Sequence, residues 1–367
     1  MSARDERERS ASELLRKWSL GRYLASAPKA LTHGVLTLPP HATLPEALHQ
    51  LASRAVLSAP VVDDARNLFL GFFGVADALR AFLTAPSEEL LLVRHQIGPE
   101  PGAPGTALLH REKAETTSSP PPPFSALRVG DLVPSPDGHV LFSASDPAYA
   151  HLTLLDVVRG SMLHCAAPYP VAPCHRVAVC EPAQGTLRIS NIVSQSDIMA
   201  FLLQHAASLE SQLSQSVSSL GLVVDPDTQQ PRGVECVQES EPALDAFGGM
   251  LRCGVSALGV LDARGSLVGN LSASDLRCVL PDRWGVLALP VARLLQLESS
   301  AAMVGEGRKA QGAVTVTPQA TLREVLEVLV SQHLHHVFVC EHFAGVDLVR
   351  PLALISTSDI VRALLLP

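Results

Sequence analysis

Little in this chain could stack on nucleobases or neutralise a phosphate backbone, because aromatic residues make up 4% of it and the formal charge is −8. Single-strand binders need aromatic platforms and duplex binders a basic face, so nucleic acid is not expected as a partner. Long hydrophobic runs are also missing. The most apolar stretch, "LFLGFFGVADALRAFL", is interrupted by Asp77 and Arg80 and falls short of the roughly 20 apolar residues a bilayer demands, so no membrane association is expected. The opening "MSARDERERS" lacks the apolar core of a secretory signal, and its acids do not suit a transit peptide. No G-x-G-x-x-G, P-loop, G-x-S-x-G or H-E-x-x-H signature occurs, which argues against an enzyme. The seven cysteines (165, 174, 180, 236, 253, 278 and 340) are odd in number and mostly lie in apolar runs such as "RVAVCE". They read as reduced core residues of an intracellular protein, cytoplasmic or nuclear.

What is abundant is aliphatic: hydrophobic residues make up 47% of the chain, enough to bury a large core of helices packed on sheets. It is also repetitive. "ISTSDIVRALLL" from Ile355 has relatives in "VSQSDIMAFLL" from Val193 and "LSASDLRCVL" from Leu271, with a poorer copy, "FGVADALRAFL", from Phe73. Upstream of each copy stand an alternating segment ("GVLTLP", "HVLFSAS", "RGVECVQE", "AVTVTP"), an apolar helical face and a strand pair. Three helix starts carry a capping-box pattern, Thr43 with Glu46, Thr153 with Asp156 and Thr321 with Glu324, whereas the third unit has "SEPALD" instead. The expected fold is α+β, a β-α-β-β-α unit repeated four times at a period long enough for each to be a small domain.

The expected division is an N-terminal segment at 1–33, repeat one at 34–84, a proline-rich insert at 85–125, repeat two at 126–206, a linker at 207–231, repeat three at 232–284 and repeat four at 285–367. The insert, with "PEPGAPG" and "SSPPPPF", reads as a surface loop, and "ESQLSQSVSSLG" as a soft joint between two halves. In the N-terminal segment Leu14, Leu15, Trp18 and Leu20 form an apolar face for docking on the body or a partner.

The S-x-x-D copies have two readings. As capping boxes, Ser194 with Asp197, Ser272 with Asp275 and Ser356 with Asp359 are worth about 1 kcal/mol each and need no ligand. As a site, a strand running into a helix offers free amides to a phosphate and a carboxylate to vicinal ribose hydroxyls.

These units resemble cystathionine-β-synthase (CBS) domains, and four in one chain look like two tandem Bateman modules, as in the gamma subunits of AMP-activated protein kinase and their plant-type relatives. The resemblance implies that Asp197, Asp275 and Asp359 contact ribose, that Ser194, Ser272 and Ser356 lie near ribose or phosphate, and that there is no catalysis. Gamma subunits carry a His-Arg pair before the central strand of the second and fourth repeats. Here the matches are His175 with Arg176 and His335 with His336, the last a histidine where arginine is expected. Repeat one departs, with Gly74 for the serine and with Leu57 and Ser58 bringing no positive charge; its site is expected to be empty or structural.

The resemblance thus implies a regulatory subunit sensing AMP, ADP or ATP in clefts between paired repeats, with kinase catalytic and scaffold subunits as partners and no cofactor. The alternative is a constitutive scaffold that has lost its ligand. A metal site from His164, Cys165, Cys174 and His175 is disfavoured because the Cys-His adjacency does not match paired-ligand spacings. Repeats one with two and three with four are expected to form compact pairs, so that residues 215–367 would fold alone as a monomer.

Overall fold

A computed structural model describes residues 10–26, 34–54, 56–84, 88–97, 124–133, 141–143, 149, 151–163, 175–183, 186–225, 229–278, 283–302, 312–343 and 348–365. Its strands form four separate sheets. The first holds β1 (Ser58–Asp63) and β2 (Leu68–Gly74), and the second β3 (Leu141–Ser143), β4 (Arg176–Ala183) and β5 (Thr186–Ser194). The third holds β6 (Cys236–Gln238), β7 (Ala257–Leu261) and β8 (Leu267–Ser272), and the fourth β9 (Thr315–Val316), β10 (His336–Phe343) and β11 (Leu348–Ser356). In the last three sheets a short first strand runs parallel to the central strand, which pairs antiparallel with the last. In repeat one the opening strand shrinks to a parallel bridge between Leu38 and Val61.

Registers show how closely the units agree. Every hairpin bulges at the same step, after Val61, Val179, Val260 and Val339. Where the last strand enters its helix, Val75, Gln195, Ala273 and Thr357 each donate a backbone N–H to Leu57, His175, Ser256 and His335 respectively. Leu57-Ser58, His175-Arg176, Ser256-Ala257 and His335-His336 are therefore one structural position in four copies.

The first helices begin as their caps dictate. Thr43, Thr153 and Thr321 form capping boxes with Glu46, Asp156 and Glu324, the acid accepting from the threonine amide at 2.9, 3.0 and 2.7 Å. Pro242 stands at the third start without a side-chain cap bond, and its place in the pattern is held by a bridge to Pro290.

Packing pairs the repeats as expected of two modules and adds contacts between the modules. Sheets do pair one with two and three with four, but through small clusters: Val62 and Phe72 against Ala178, Cys180 and Ile189, and Leu267 against Phe338 and Cys340. The two large cores run across the modules. Helices of repeats two and four interdigitate, with Met199, Phe201 and Leu202 among Leu322, Leu326, Ile360 and Leu364. Those of repeats one and three do the same, with Leu44, Leu48 and Phe82 among Leu244, Phe247 and Leu276. The apolar helix faces, not the sheets, carry most of the burial, so cutting the chain at residue 215 would expose both cores at once.

The connecting segments are structural as well, against the expectation of loop and soft joint. The insert opens with a helix, Glu88–Ile97, whose Leu90 and Val93 are buried and whose Arg94 pairs with Asp245 at 3.4 Å; residues 98–123, including the proline runs, lie outside the described residues. In the linker, Leu209, Leu213 and Val217 are fully buried against repeats two and four. The N-terminal helices Ala11–Lys17 and Leu20–Ser26 dock on the chain's own repeat two, burying Ala11, Leu15 and Leu20. Cys180 and Cys340 are buried, but Cys236 and Cys253 are exposed, which corrects their reading as core.

Candidate functional site

At each strand-to-helix corner the carboxylate folds back on its own cap. Asp197 Oδ2 accepts from the Ser194 amide at 2.8 Å and its hydroxyl at 2.6 Å, and Asp359 Oδ2 does so from Ser356 at 2.8 and 2.5 Å. In repeat three the Ser272 amide donates to Asp275 at 2.5 Å, both residues are buried, and Ala273–Cys278 is a 3-10 turn where the others have α-helix. In repeat one the Gly74 amide donates to Asp77 at 2.9 Å without any hydroxyl. A Cβ on Gly74 would come within 2.9 Å of the Leu57 carbonyl oxygen, so the missing serine reflects a corner too tight to hold one.

The two pairs, His175-Arg176 and His335-His336, are split by the pleat, since neighbours on a strand face opposite ways. His175 and His335 turn to the seam between repeats two and four. There His175 Nδ1 lies 3.3 Å from Gln195 Oε1, and His335 Nδ1 lies 3.2 Å from Ser196 Oγ. Gln195, which is buried, ties the seam by accepting from Thr357 Oγ1 at 3.0 Å and Ser358 Oγ at 3.1 Å. Burial holds the His175 imidazole below its ordinary pKa, with the Arg176 charge adding to this and the Gln195 contact opposing it. Arg176 and His336 turn instead to the module partner. The Arg176 guanidinium donates to Ser58 Oγ of repeat one, and His336 Nε2 lies 3.0 Å from Asn270 Oδ1 of repeat three.

Repeat one therefore borrows the charge it lacks in sequence. Burial pushes the Asp77 carboxyl up, and the Gly74 amide, Arg80 and Arg176 pull it back. An open cleft of about 730 Å³ lies between repeats one and two. Gly34, Val35 and Thr37 form one side of it and the β5 run from Thr186 to Asn191 the other, with Asp64, Glu181 and Arg188 at its margin.

Sequence reasoning did not find Gln195, Thr357, Ser358 or Asn270. The first three occupy the variable positions inside S-x-x-D, and the differences between copies there were the available signal. Among the described residues no group of three or more His, Cys, Asp or Glu could hold a metal ion; His164, Cys165 and Cys174 lie outside them. Among the same residues no helix is long and apolar enough to cross a membrane.

The CBS domain family profile matches residues 29–84 and 311–366, so CBS domains stand in two places, at the first and last repeats. A Methanocaldococcus jannaschii protein described as an archaeal homologue of g-AMPK aligns at a TM-score of 0.56 over 91% of this chain and 98% of its own, with 15% identity, which shows the fold alone. Curated relatives are more distant in extent. Protein SDS23 of Eremothecium gossypii is 26% identical over 194 residues, 50% of this chain and 39% of that protein. Protein SDS23 of Candida glabrata is 25% identical over 176 residues, 46% and 32% of the respective chains. The chain thus spans less than half the length of the curated relatives it matches.

Proposed function

We propose that this CBS-domain protein is a non-catalytic regulatory subunit that binds adenine nucleotides in the clefts between paired repeats and conveys their occupancy to kinase catalytic and scaffold subunits. One observation carries the reading: Arg176 and His336 cross from their own repeats to the neighbouring one, Arg176 to the corner of repeat one, where its cation can meet a phosphate. A ligand held there would crosslink repeats whose sheet contact is small. Stabilisation by binding follows RT ln(1 + [L]/Kd), about 2.7 kcal/mol at a hundredfold excess, and a partner can read that difference between states.

A second reading is supported by the corners themselves. Asp197, Asp275 and Asp359 are engaged by their own caps, which is what a ligand-free scaffold needs. Isothermal titration of the full chain with AMP, ADP and ATP separates the two. Binding that is lost on Asp→Ala at these positions supports the sensor. No binding, together with a melting temperature indifferent to millimolar nucleotide, leaves the scaffold.

A further inference from the structure

One buried oxygen in the seam between repeats two and four meets more donors than it can hold well. Gln195 is 3% exposed, and its Nε2 donates to the Met162 carbonyl at 3.5 Å, which fixes the amide with Oε1 towards repeat four. There Oε1 accepts from Thr357 Oγ1 at 3.0 Å and Ser358 Oγ at 3.1 Å, and His175 Nδ1 lies 3.3 Å away. An amide oxygen has two lone pairs for these three groups, whereas a phosphate oxygen, being charged, would draw all of them more strongly.

Thr357 and Ser358 are the residues inside the S-x-x-D of repeat four, so Gln195 reaches across the seam into the corner that Ser356 and Asp359 frame. The contact has no counterpart in the other repeats. The first helical residue of repeat four is Thr357, whose hydroxyl ends on Gln195, and those of repeats one and three are Val75 and Ala273, which bring no acceptor. At the repeat-two corner the hydroxyl matching Ser358 is Ser196, and it meets His335 Nδ1 at 3.2 Å. An imidazole can carry positive charge and so does not shut out an anion.

We propose that Gln195 is an autoinhibitory residue, its amide oxygen standing at the repeat-four corner where a nucleotide's phosphate oxygen would bind. Repeat four then accepts a nucleotide only when this side chain leaves the seam, and repeat two, with no such occupant, fills first. The S-x-x-D pattern makes the two corners alike, and one glutamine ranks them. This rests on the nucleotide reading above.

The test is isothermal titration of the full chain carrying Asp197→Asn and Asp275→Asn, so that Asp359 governs the binding that remains, with Asp359→Asn added as the blank. Gln195→Ala removes the occupant and is expected to tighten AMP about tenfold, the order of one or two hydrogen bonds released from competition. Adenosine, which brings no phosphate, should gain nothing. Gln195→Glu, whose charged oxygen holds the same donors, should weaken AMP instead. Gln195→Thr, the residue repeat four has at this place, is too short to span the seam and should act as alanine does; cooperative melting of each variant checks its fold. AMP affinity unchanged or weakened in Gln195→Ala and Gln195→Thr, or an equal gain for adenosine, overturns the autoinhibition and leaves the nucleotide reading standing. No Asp359-dependent AMP binding with glutamine, alanine or threonine at 195 overturns the nucleotide reading of this corner together with it.

Discussion

Repeats two and four, and repeats one and three, make two halves of similar architecture and different chemistry. In the first half the corner positions are His175-Arg176 and His335-His336, both S-x-x-D copies head α-helices, and a buried Gln195 ties one corner to the other. In the second half the same positions are Leu57-Ser58 and Ser256-Ala257, one serine is Gly74, and one helix is a 3-10 turn. The centre of that half is aromatic: Phe82 stacks on Trp284 at 4.2 Å, with Phe124 against both. Each half has a continuous helical core, so the fold does not require the polar corner. Polar groups at a seam cost desolvation unless partnered, and their confinement to one half points to a use there.

The largest effects should come from the cores that both halves share. Leu326→Ala in one and Phe247→Ala in the other remove fully buried side chains and should each cost about 2–5 kcal/mol in chemical unfolding. Cys180→Ala, at the small sheet contact, should cost less. Residues 215–367 expressed alone should associate or bind a hydrophobic dye, because Leu322, Val325, Leu326 and Leu329 lose their cover. A monomeric fragment with a cooperative transition would show that the sheet contact suffices after all.

Next in size is the ligand effect, which should separate the halves. Millimolar AMP is expected to raise the melting temperature of the wild-type chain. Arg176→Ala should abolish the rise, and His336→Arg should enlarge it, because a guanidinium brings a permanent charge and a fork of donors that fits phosphate oxygens. Melting curves with and without AMP measure both. Equal responses in the two variants would deny that the polar half holds the phosphates.

Gly74→Ser tests why the apolar half departs from the pattern. A serine there would restore the S-x-x-D letters of repeat one, yet its Cβ would meet the Leu57 carbonyl oxygen at 2.9 Å and the Ser58 Cβ at 3.0 Å. The expected outcome is destabilisation of about 1–3 kcal/mol, as for overpacking. In the polar half, Ser356→Ala should cost about 1 kcal/mol through the lost cap alone. A stabilised Gly74→Ser chain would mean the corner can open.

Local rules made much of this legible from the letters. Alternation marked the strands, T-x-x-E and S-x-x-D marked helix starts, and together they marked the repeat. The pairing of cores was not legible, because the face of Leu322, Val325 and Leu326 is as apolar as that of Ala243, Leu244 and Phe247, and amphipathicity does not name a partner. The linker misled through its serines and glutamines, which hid Leu209, Leu213 and Val217. The candidate site was half legible: the His-Arg position was found, but adjacency in sequence suggested joint action, and the pleat sends His175 and Arg176 to different neighbours.

The smallest effect should be a pH term from His175 in the polar half. His175 titrates below its ordinary value of 6.5 when folded, chiefly through burial, whereas the unfolded chain protonates near that value. The unfolded state therefore binds more protons in the window just below 6.5, and stability should fall as pH is lowered from 7 through the folded pKa. Its contribution is fully present above the unfolded pKa. The residue as a whole is exposed, with one ring nitrogen 3.3 Å from Gln195 Oε1, so the term should be small. Leu57 and Ser256, at the equivalent position, do not titrate in this range, so the apolar half has no counterpart. Urea midpoints of wild type and His175→Gln, at pH 7.5 and 5.5, read the difference. Glutamine keeps a polar group beside Gln195 and removes the proton site, so the variant should lose less stability on acidification. An identical loss in both chains would remove His175 from the account and leave the acid sensitivity to other groups.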